Sequence, residues 1–248
     1  MRRGHLSEIF ASFQGEGLLV GQRHLFVRLS GCNLRCAYCD TPDSLERESE
    51  YAVHLPGAAM RRGANPLTSV ELSHLVAPFF EAGGGAVDAV SLTGGEPLLQ
   101  AAFLREWLNE ARLPVPVMLE TSGVLPRGLA EVIDLVSVVS MDVKLPSNTA
   151  EPPFWKEHAE FASLAAQRTL YVKILVDDAT DLDELEHALE VVSEAAGCDV
   201  PIFLQPIVDV AGRPQASEAS LIRFHSAARR VLRNVRVLPQ VHKFLGIR

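Results

Sequence analysis

Short apolar runs alternate along this chain with longer stretches whose apolar residues recur at helical spacing. Residues 5–10, 24–29, 87–92, 115–120, 135–141, 169–176, 200–205 and 235–238 read as strands. Val70, Leu72, Leu75, Val76, Phe79 and Phe80 carry helical spacing behind Thr68-Ser69-Val70-Glu71, which has the form of a capping box. Gly83-Gly84-Gly85 is expected to end that helix. A second helix should run from Pro97 to about Ala111, others should precede residues 169 and 200, and residues 221–232 should form one more. This alternation predicts an α/β fold of βαβ units, with parallel strands joined by right-handed crossovers. Residues 43–66 lack clear periodicity and hold Pro56, Gly57, Gly63 and Pro66, so an irregular loop is expected there, placed to act as a lid. Nothing marks a second domain, and residues 1–248 read as one.

Polar residues gather just after the strands, at their C-terminal ends, which is the face where α/β sheets build sites. The segments 32–39, 93–96, 120–122 and 140–144, with Gln205, are therefore expected to surround one cavity. Arg28 interrupts an apolar strand, and a buried arginine needs a partner or an anion to face.

The first of those segments carries the strongest chemical signal. Three of the four cysteines, Cys32, Cys36 and Cys39, lie in a C-x3-C-x2-C spacing inside a loop spanning about residues 30–43. Thiolates suit iron–sulfur clusters, zinc or copper(I). A [4Fe–4S] cluster normally takes four cysteines, so three imply one iron open to a ligand from outside the protein. The other reading is a structural zinc completed by Cys198 or a histidine. Such sites usually come as two ligand pairs, and the sequence holds no second pair.

Composition narrows the setting. No apolar run reaches the ~18 residues of a membrane span, and the start Met-Arg-Arg-Gly-His-Leu lacks the apolar stretch of a secretory signal. Clustered, unpaired cysteines suit a reducing cytoplasm. A net charge of −8 argues against a broad nucleic-acid surface.

The cysteine loop, with Tyr38 just before its last cysteine, resembles that of the radical S-adenosylmethionine (SAM) superfamily. Thr93-Gly94-Gly95-Glu96-Pro97 matches the superfamily's Gly-Gly-Glu-Pro motif, and Glu120-Thr121-Ser122-Gly123 and Ser140-Met141-Asp142-Val143-Lys144 match segments that line the cofactor. The resemblance implies a partial, incomplete (β/α) barrel of the TIM type, a [4Fe–4S] cluster and SAM. It also implies SAM contacts at Tyr38, Thr93, Gly94, Gly95, Glu96, Thr121, Ser122, Ser140, Asp142, Lys144 and Gln205.

At a finer level, Phe13-Gln14-Gly15-Glu16-Gly17, Arg28, Cys39-Asp40-Thr41-Pro42 and Pro239-Gln240-Val241-His242-Lys243 are similar to the 7-carboxy-7-deazaguanine synthase family. That family turns 6-carboxy-5,6,7,8-tetrahydropterin into 7-carboxy-7-deazaguanine with loss of ammonia, on the way to queuosine and related deazapurines. The likeness implies substrate contacts at Gln14, Glu16, Arg28, Thr93, His242 and the terminal Arg248, and Mg2+ at Thr41. The pterin edge would meet Glu16 and Gln14, and Arg28 would hold the carboxylate by charge-assisted bonds. Hydrogen abstraction from C6 of the pterin would open a ring contraction, and SAM would be regenerated. A flavodoxin- or ferredoxin-type electron donor and a homodimer are also implied. A glycyl-radical-enzyme activating enzyme is the alternative; it would share the cluster loop but bind a peptide.

Overall fold

The computed structural model describes residues 2–55, 57, 59–81, 86–209 and 212–247. In chain order the first half runs β1 (Arg3–Gly4), β2 (Leu6–Phe13), β3 (Arg23–Leu29), β4 (Glu50–His54), β5 (Arg61–Ala64), β6 (Leu67–Thr68), α1 (Ser69–Val76), β7 (Ala89–Gly94) and α2 (Ala101–Ala111). There follow β8 (Val117–Thr121), α3 (Pro126–Val132), β9 (Val138–Val143), α4 (Pro146–Thr149), α5 (Trp155–Ala165) and β10 (Thr169–Val176). The last elements are α6 (Leu182–Ala196), β11 (Ile202–Pro206), α7 (Glu218–Val231), β12 (Val235–Val237) and α8 (Val241–Leu245).

One sheet has the order β12-β11-β10-β9-β8-β7-β3-β2-β4-β5. From β3 to β12 every pairing is parallel, whereas β2 runs antiparallel to β3. The sheet does not close, because β12 and β5 are its two edges. It does curl: Glu16, in the connection between β2 and β3, hydrogen-bonds Gln205 of β11 and forms an ion pair with Lys173 of β10. Leu18 and Leu19 of the same connection pack against Met118, Tyr171 and Phe203. The result is the expected open, partial barrel. Among the described residues no helix is long and apolar enough to cross a membrane.

The two faces of the sheet differ because strand side chains alternate. Val27, Leu92, Leu119, Val139, Val172 and Leu204 are fully buried on the outer face, under a layer in which α2, α3, α5, α6 and α7 each pack on the next. The inner face carries His24, Arg28, Thr93, Glu120, Ser140, Asp142, Lys173 and Gln205. The register sets Arg28 beside Thr93, Glu120 beside Ser140, and Asp142 beside Lys173. A helix-covered parallel sheet reads apolar on both faces when both are covered; here one face is left for chemistry.

Two expectations shift. Strands expected at 87–92 and 135–141 run instead over Ala89–Gly94 and Val138–Val143. Ladder bonds are made by backbone, so pairing continues into the polar residues beyond the apolar run. Residues 43–66 hold the antiparallel pair β4–β5 at the sheet edge, so no lid is formed from the 50–54 and 61–64 segments. Exposed Glu50, Arg61 and Arg62 break the alternation that would have marked these strands, and such charges are usual on an edge. The capping box of α1 is present, with Thr68 accepting from Glu71 N and the Glu71 carboxylate accepting from Thr68 N. The triplet Gly83-Gly84-Gly85 lies outside the described residues.

Two buried histidines tie the sheet internally. His24 Nδ1 is 2.8 Å from Ser91 Oγ. His158, on α5, bridges two strand ends: its Nε2 accepts from Lys144 N at 3.1 Å, and its Nδ1 lies 3.1 Å from Gly123 O. Burial lowers both pKa values to about 4, against a partly offsetting Asp88 charge at His24 and a Gly123 hydrogen bond at His158. In the unfolded chain both titrate near 6.5, so between pH 6.5 and 4 the unfolded state binds more protons and stability falls as pH falls. Urea unfolding should therefore lose up to about 1.4 kcal/mol per pH unit per histidine across that window. His158→Gln, which cannot take a proton, should reduce the slope by about half; an unchanged slope would contradict this.

Candidate active site

The cysteine loop is seated on the Gly-Gly-Glu segment by backbone. Gly95 N donates to Leu29 O at 3.2 Å and Glu96 N to Gly31 O at 2.9 Å. Gly31 N and Cys32 N in turn donate to Ser44 O and Leu45 O at 2.8 and 2.9 Å. A Cβ on Gly95 would lie 2.4 Å from Gly31 O and 2.5 Å from Ser44 O, and one on Gly94, where φ is +131°, would lie 2.0 Å from Leu29 O. The glycine pair thus admits the cysteine loop itself.

The Glu96 carboxylate, fully buried, accepts from Leu98 N, Thr121 Oγ1, Ser122 N and Ser122 Oγ at 2.6–3.0 Å. An ionised carboxylate has about four lone-pair sites, and all are occupied. Glu96, Thr121 and Ser122 thereby lock the end of β8 to the loop after β7. Gly94 and Gly95 likewise face the cysteine loop backbone.

All three loop cysteines are part-exposed thiols. Burial pushes Cys32 and Cys36 up, the charges of neighbouring cysteines add to this, and Lys144 opposes it. The thiols are near enough to feel one another, yet among the described residues no three His, Cys, Asp or Glu side chains converge as a single metal ion requires. A cubane takes each cysteine on a different iron. Cys198 precedes β11, at the N-terminal edge of the sheet, whereas the loop follows the C-terminal end of β3. It is no fourth ligand.

Beside the loop runs a network of charges on the inner face. Lys173 Nζ forms an ion pair with Glu16 Oε2 and lies 3.2 Å from Asp142 Oδ1; Lys144 Nζ lies 3.2 Å from Asp142 Oδ2 and 5.4 Å from the centre of the Tyr38 ring. Glu16 Oε1 also accepts from Gln205 Nε2 at 3.1 Å and Gln240 Nε2 at 2.6 Å, and Gln240 reaches Asp40 as well. Gln14 is buried, donating to Glu120 at 2.7 Å and accepting from Glu16 N. Burial alone would neutralise these groups. Lys173 and Lys144 nonetheless hold Asp142 below the usual carboxylate range, and Asp142 and Glu16 hold Lys173 well above its own. Burial raises Tyr38 to about 12, partly offset by Lys144. Ser140 Oγ faces the Tyr171 hydroxyl, whereas Gln205 Oε1 is buried without a hydrogen-bond partner. Such an atom costs about 1–3 kcal/mol when unmet, so it fits a polar ligand such as SAM.

The remaining sequence expectations fall as follows. Arg28 is held through Nε by Glu8 at 3.0 Å and stacks 5.6 Å from the Phe10 ring centre; among the described residues its terminal nitrogens make no hydrogen bond. Thr93 is buried in register with Arg28. Thr41 precedes a 3-10 turn at Pro42–Ser44 without capping it. His242, on α8, lies against Gly15, and Val241 N donates to Gly15 O at 2.9 Å. Arg248 lies outside the described residues. Sequence reading missed Lys173, Gln240, Asp40 and His158. Lys173 did leave a signal, a lysine inside Thr-Leu-Tyr-Val-Lys-Ile-Leu-Val, of the kind that drew attention to Arg28. A cavity of about 450 Å³ between Leu19, Gln22, Asp88 and Met118 opens at the N-terminal ends of β7–β9, away from the cysteines.

Two substitutions test this geometry. Lys173→Met should destabilise the chain by about 3 kcal/mol in urea unfolding, since it strands two half-buried carboxylates; a loss under about 1 kcal/mol would mean the ammonium is dispensable. Gly95→Ala should cut iron incorporation about five- to a hundredfold, the equivalent of a 1–3 kcal/mol clash. Parent-level iron would show that the joint accepts a methyl group.

Comparison with known proteins agrees with this geometry. The sequence model of the radical SAM superfamily matches residues 26–160. A 7-carboxy-7-deazaguanine synthase from Geobacter sulfurreducens is 36% identical over 242 residues, covering 97% of this chain and 96% of that protein. One from Methanopyrus kandleri is 36% identical over 251 residues, with coverage of 96% and 92%. Among solved structures, QueE from Escherichia coli superposes with a TM-score of 0.60 at 19% identity over 97% of this chain and 95% of that one, a likeness of fold. These names favour the synthase over the activating-enzyme alternative. The chain belongs to the radical SAM superfamily and, within it, to the 7-carboxy-7-deazaguanine synthase family.

Proposed function

We propose that this chain converts 6-carboxy-5,6,7,8-tetrahydropterin into 7-carboxy-7-deazaguanine and ammonia, a lyase step in deazapurine and queuosine biosynthesis. The observation that carries the reading is the convergence of Gln14, Glu16, Lys173 and Gln205 beside three cluster-type cysteines, inside an open barrel. Cys32, Cys36 and Cys39 would hold a [4Fe–4S] cluster, which together with SAM would supply the radical chemistry that starts the reaction.

The chain's own residues position and neutralise. Tyr38, Ser140, Asp142, Lys144 and Gln205 are proposed as side-chain contacts to SAM, and Thr93, Gly94, Gly95, Glu96, Thr121 and Ser122 as the contacts along the ends of β7 and β8. Glu16 and Gln14 accept and donate along the pterin edge; for Glu16 this means exchanging Gln205 or Gln240 for substrate N–H groups. Arg28 offers its terminal nitrogens to the substrate carboxylate. His242, packed on Gly15, is proposed as a further substrate contact. Arg248 is proposed as another substrate contact. Thr41, whose hydroxyl caps nothing, is the proposed oxygen ligand of Mg2+, which favours hydroxyl, carboxylate and water. Mg2+ would orient the substrate carboxylate. The enzyme is proposed to work in the cytoplasm as a homodimer, reduced by a flavodoxin- or ferredoxin-type donor. That setting is supported by the family and by free cysteines.

Anaerobic incubation of the reconstituted, reduced protein with SAM, Mg2+ and the carboxytetrahydropterin should yield the deazaguanine ultraviolet spectrum and ammonia. An intact cluster with unaltered pterin would refute the assignment. Arg28→Ala should raise KM for the pterin acid about 10- to 100-fold, the equivalent of a charged hydrogen bond, without changing SAM affinity. A matching loss of SAM binding would place Arg28 elsewhere in the site.

A further inference from the structure

A second cavity of about 450 Å³ lies on the outside of the barrel, between the N-terminal strand and the start of α2. It is lined by Arg2, Arg3, His5 and Arg47, together with Gln100 and Phe103, and no carboxylate is in the lining. Arg2, Arg3 and Arg47 are exposed, and among the described residues none of them forms an ion pair. Arg3 donates to Pro66 O at 3.1 Å. Acids stand at its margin: Glu106 accepts from Arg2 N, Glu71 feels the charge of Arg3, and Glu48 lies beside His5 through its carbonyl. On a chain with net charge −8, a cleft lined only by cations and neutral groups stands out.

Its place in the fold says what that charge is next to. Gln100 Nε2, in the lining, donates to Ser30 O at 3.1 Å, and His5 O accepts from Ser30 N. The Arg47 Cγ lies 3.3 Å from where a Cβ on Gly31 would sit. Ser30 and Gly31 are the residues that lead into Cys32, so the cleft backs directly onto the start of the cysteine loop.

We infer that this basic cleft beside the cysteine loop is the docking surface for a small acidic one-electron carrier protein, and that Arg2, Arg3 and Arg47 steer it there. The inference rests on the functional reading above, since that reading is what requires an electron at the loop. One electron leaves the carrier's reduced centre, which is oxidised, and enters the cluster, whose total charge falls by one. Electron-transfer encounters use small, transient interfaces, and complementary charge acts mainly on their association rate. Carboxylates of the carrier would enter the cleft while its redox centre faces the Ser30-Gly31 backbone.

The test compares two reductants on the reconstituted full chain by the bleaching of visible cluster absorbance. One is a photoreduced acidic ferredoxin; the other is reduced methyl viologen, a small cation that needs no docking. The double substitution Arg2→Glu and Arg47→Glu, at two exposed positions outside the barrel lumen, should slow bleaching by ferredoxin about tenfold or more at low ionic strength. Bleaching by methyl viologen should be no slower. For the parent chain the ferredoxin rate should fall steeply with salt, and the two chains should converge near 1 M, where the screening length is about 3 Å. An unchanged ferredoxin rate, or a parent rate insensitive to salt, overturns the proposal. Equal slowing by both reductants also overturns it, since that is damage to the loop. The milder pair Arg2→Gln and Arg47→Gln, expected at about a threefold effect on the same axis, decides the matter if the reversal does not fold. Failure of methyl viologen to bleach the parent chain removes the functional reading itself, and this proposal with it.

Discussion

The site depends on a backbone-to-backbone joint. The cysteine loop can reach its place only because Gly94 and Gly95 carry no Cβ where Leu29, Gly31 and Ser44 approach. Two hydrogen bonds then fasten the joint, from Gly95 N and Glu96 N. The Glu96 side chain carries the connection one strand further by filling its lone pairs on Leu98, Thr121 and Ser122. Two motifs separated by more than fifty residues are thus two halves of one structural unit. A fold that holds a reactive centre in a loop needs such a unit, because a loop alone carries few buried contacts.

Around that joint, the sheet separates stability from chemistry by face. Apolar side chains under the helices supply the burial, and the inner face is free to hold charge. The charges there are not scattered. Lys173 stands between Glu16 and Asp142, Lys144 closes on Asp142, and Gln240 ties Glu16 to Asp40 in the loop. Buried ion pairs are weak devices for stability but good ones for fixing geometry and charge state. Neutral His158, clamped between Gly123 and Lys144, adds a rigid spacer between the ends of β8 and β9.

Much of this was legible from the chain alone, and the reasons are local. Parallel strands under helices announce themselves as apolar runs, and three cysteines in one loop can hardly mean anything but a shared inorganic centre. Arg28 stood out as a cation inside an apolar run, whereas Gln14, Glu16 and Thr93 were singled out by the family resemblance, and the fold brings Gln14 and Glu16 together with Gln205. Partnerships were not legible. Nothing in the sequence tells that Glu96 is saturated by Thr121 and Ser122, or that Glu8 takes Arg28 through Nε, because those distances are set by the curl of the sheet. The edge strands β4 and β5 escaped because a third of their residues are charged and most of their positions are exposed or half-buried, too little burial to impose alternation. The terminal helix α8 escaped because five residues carry too little periodicity.

The central claim is that the joint presents three thiolates to a cluster with one iron left for SAM. Electron paramagnetic resonance of the anaerobically reconstituted and reduced protein, without and with SAM, tests it most directly. The account predicts a [4Fe–4S]+ signal whose g-values shift when SAM is added, and loss of that signal when Cys36 is replaced by alanine. A protein that instead holds one zinc per chain and no sulfide, or a cluster signal indifferent to SAM, would contradict it.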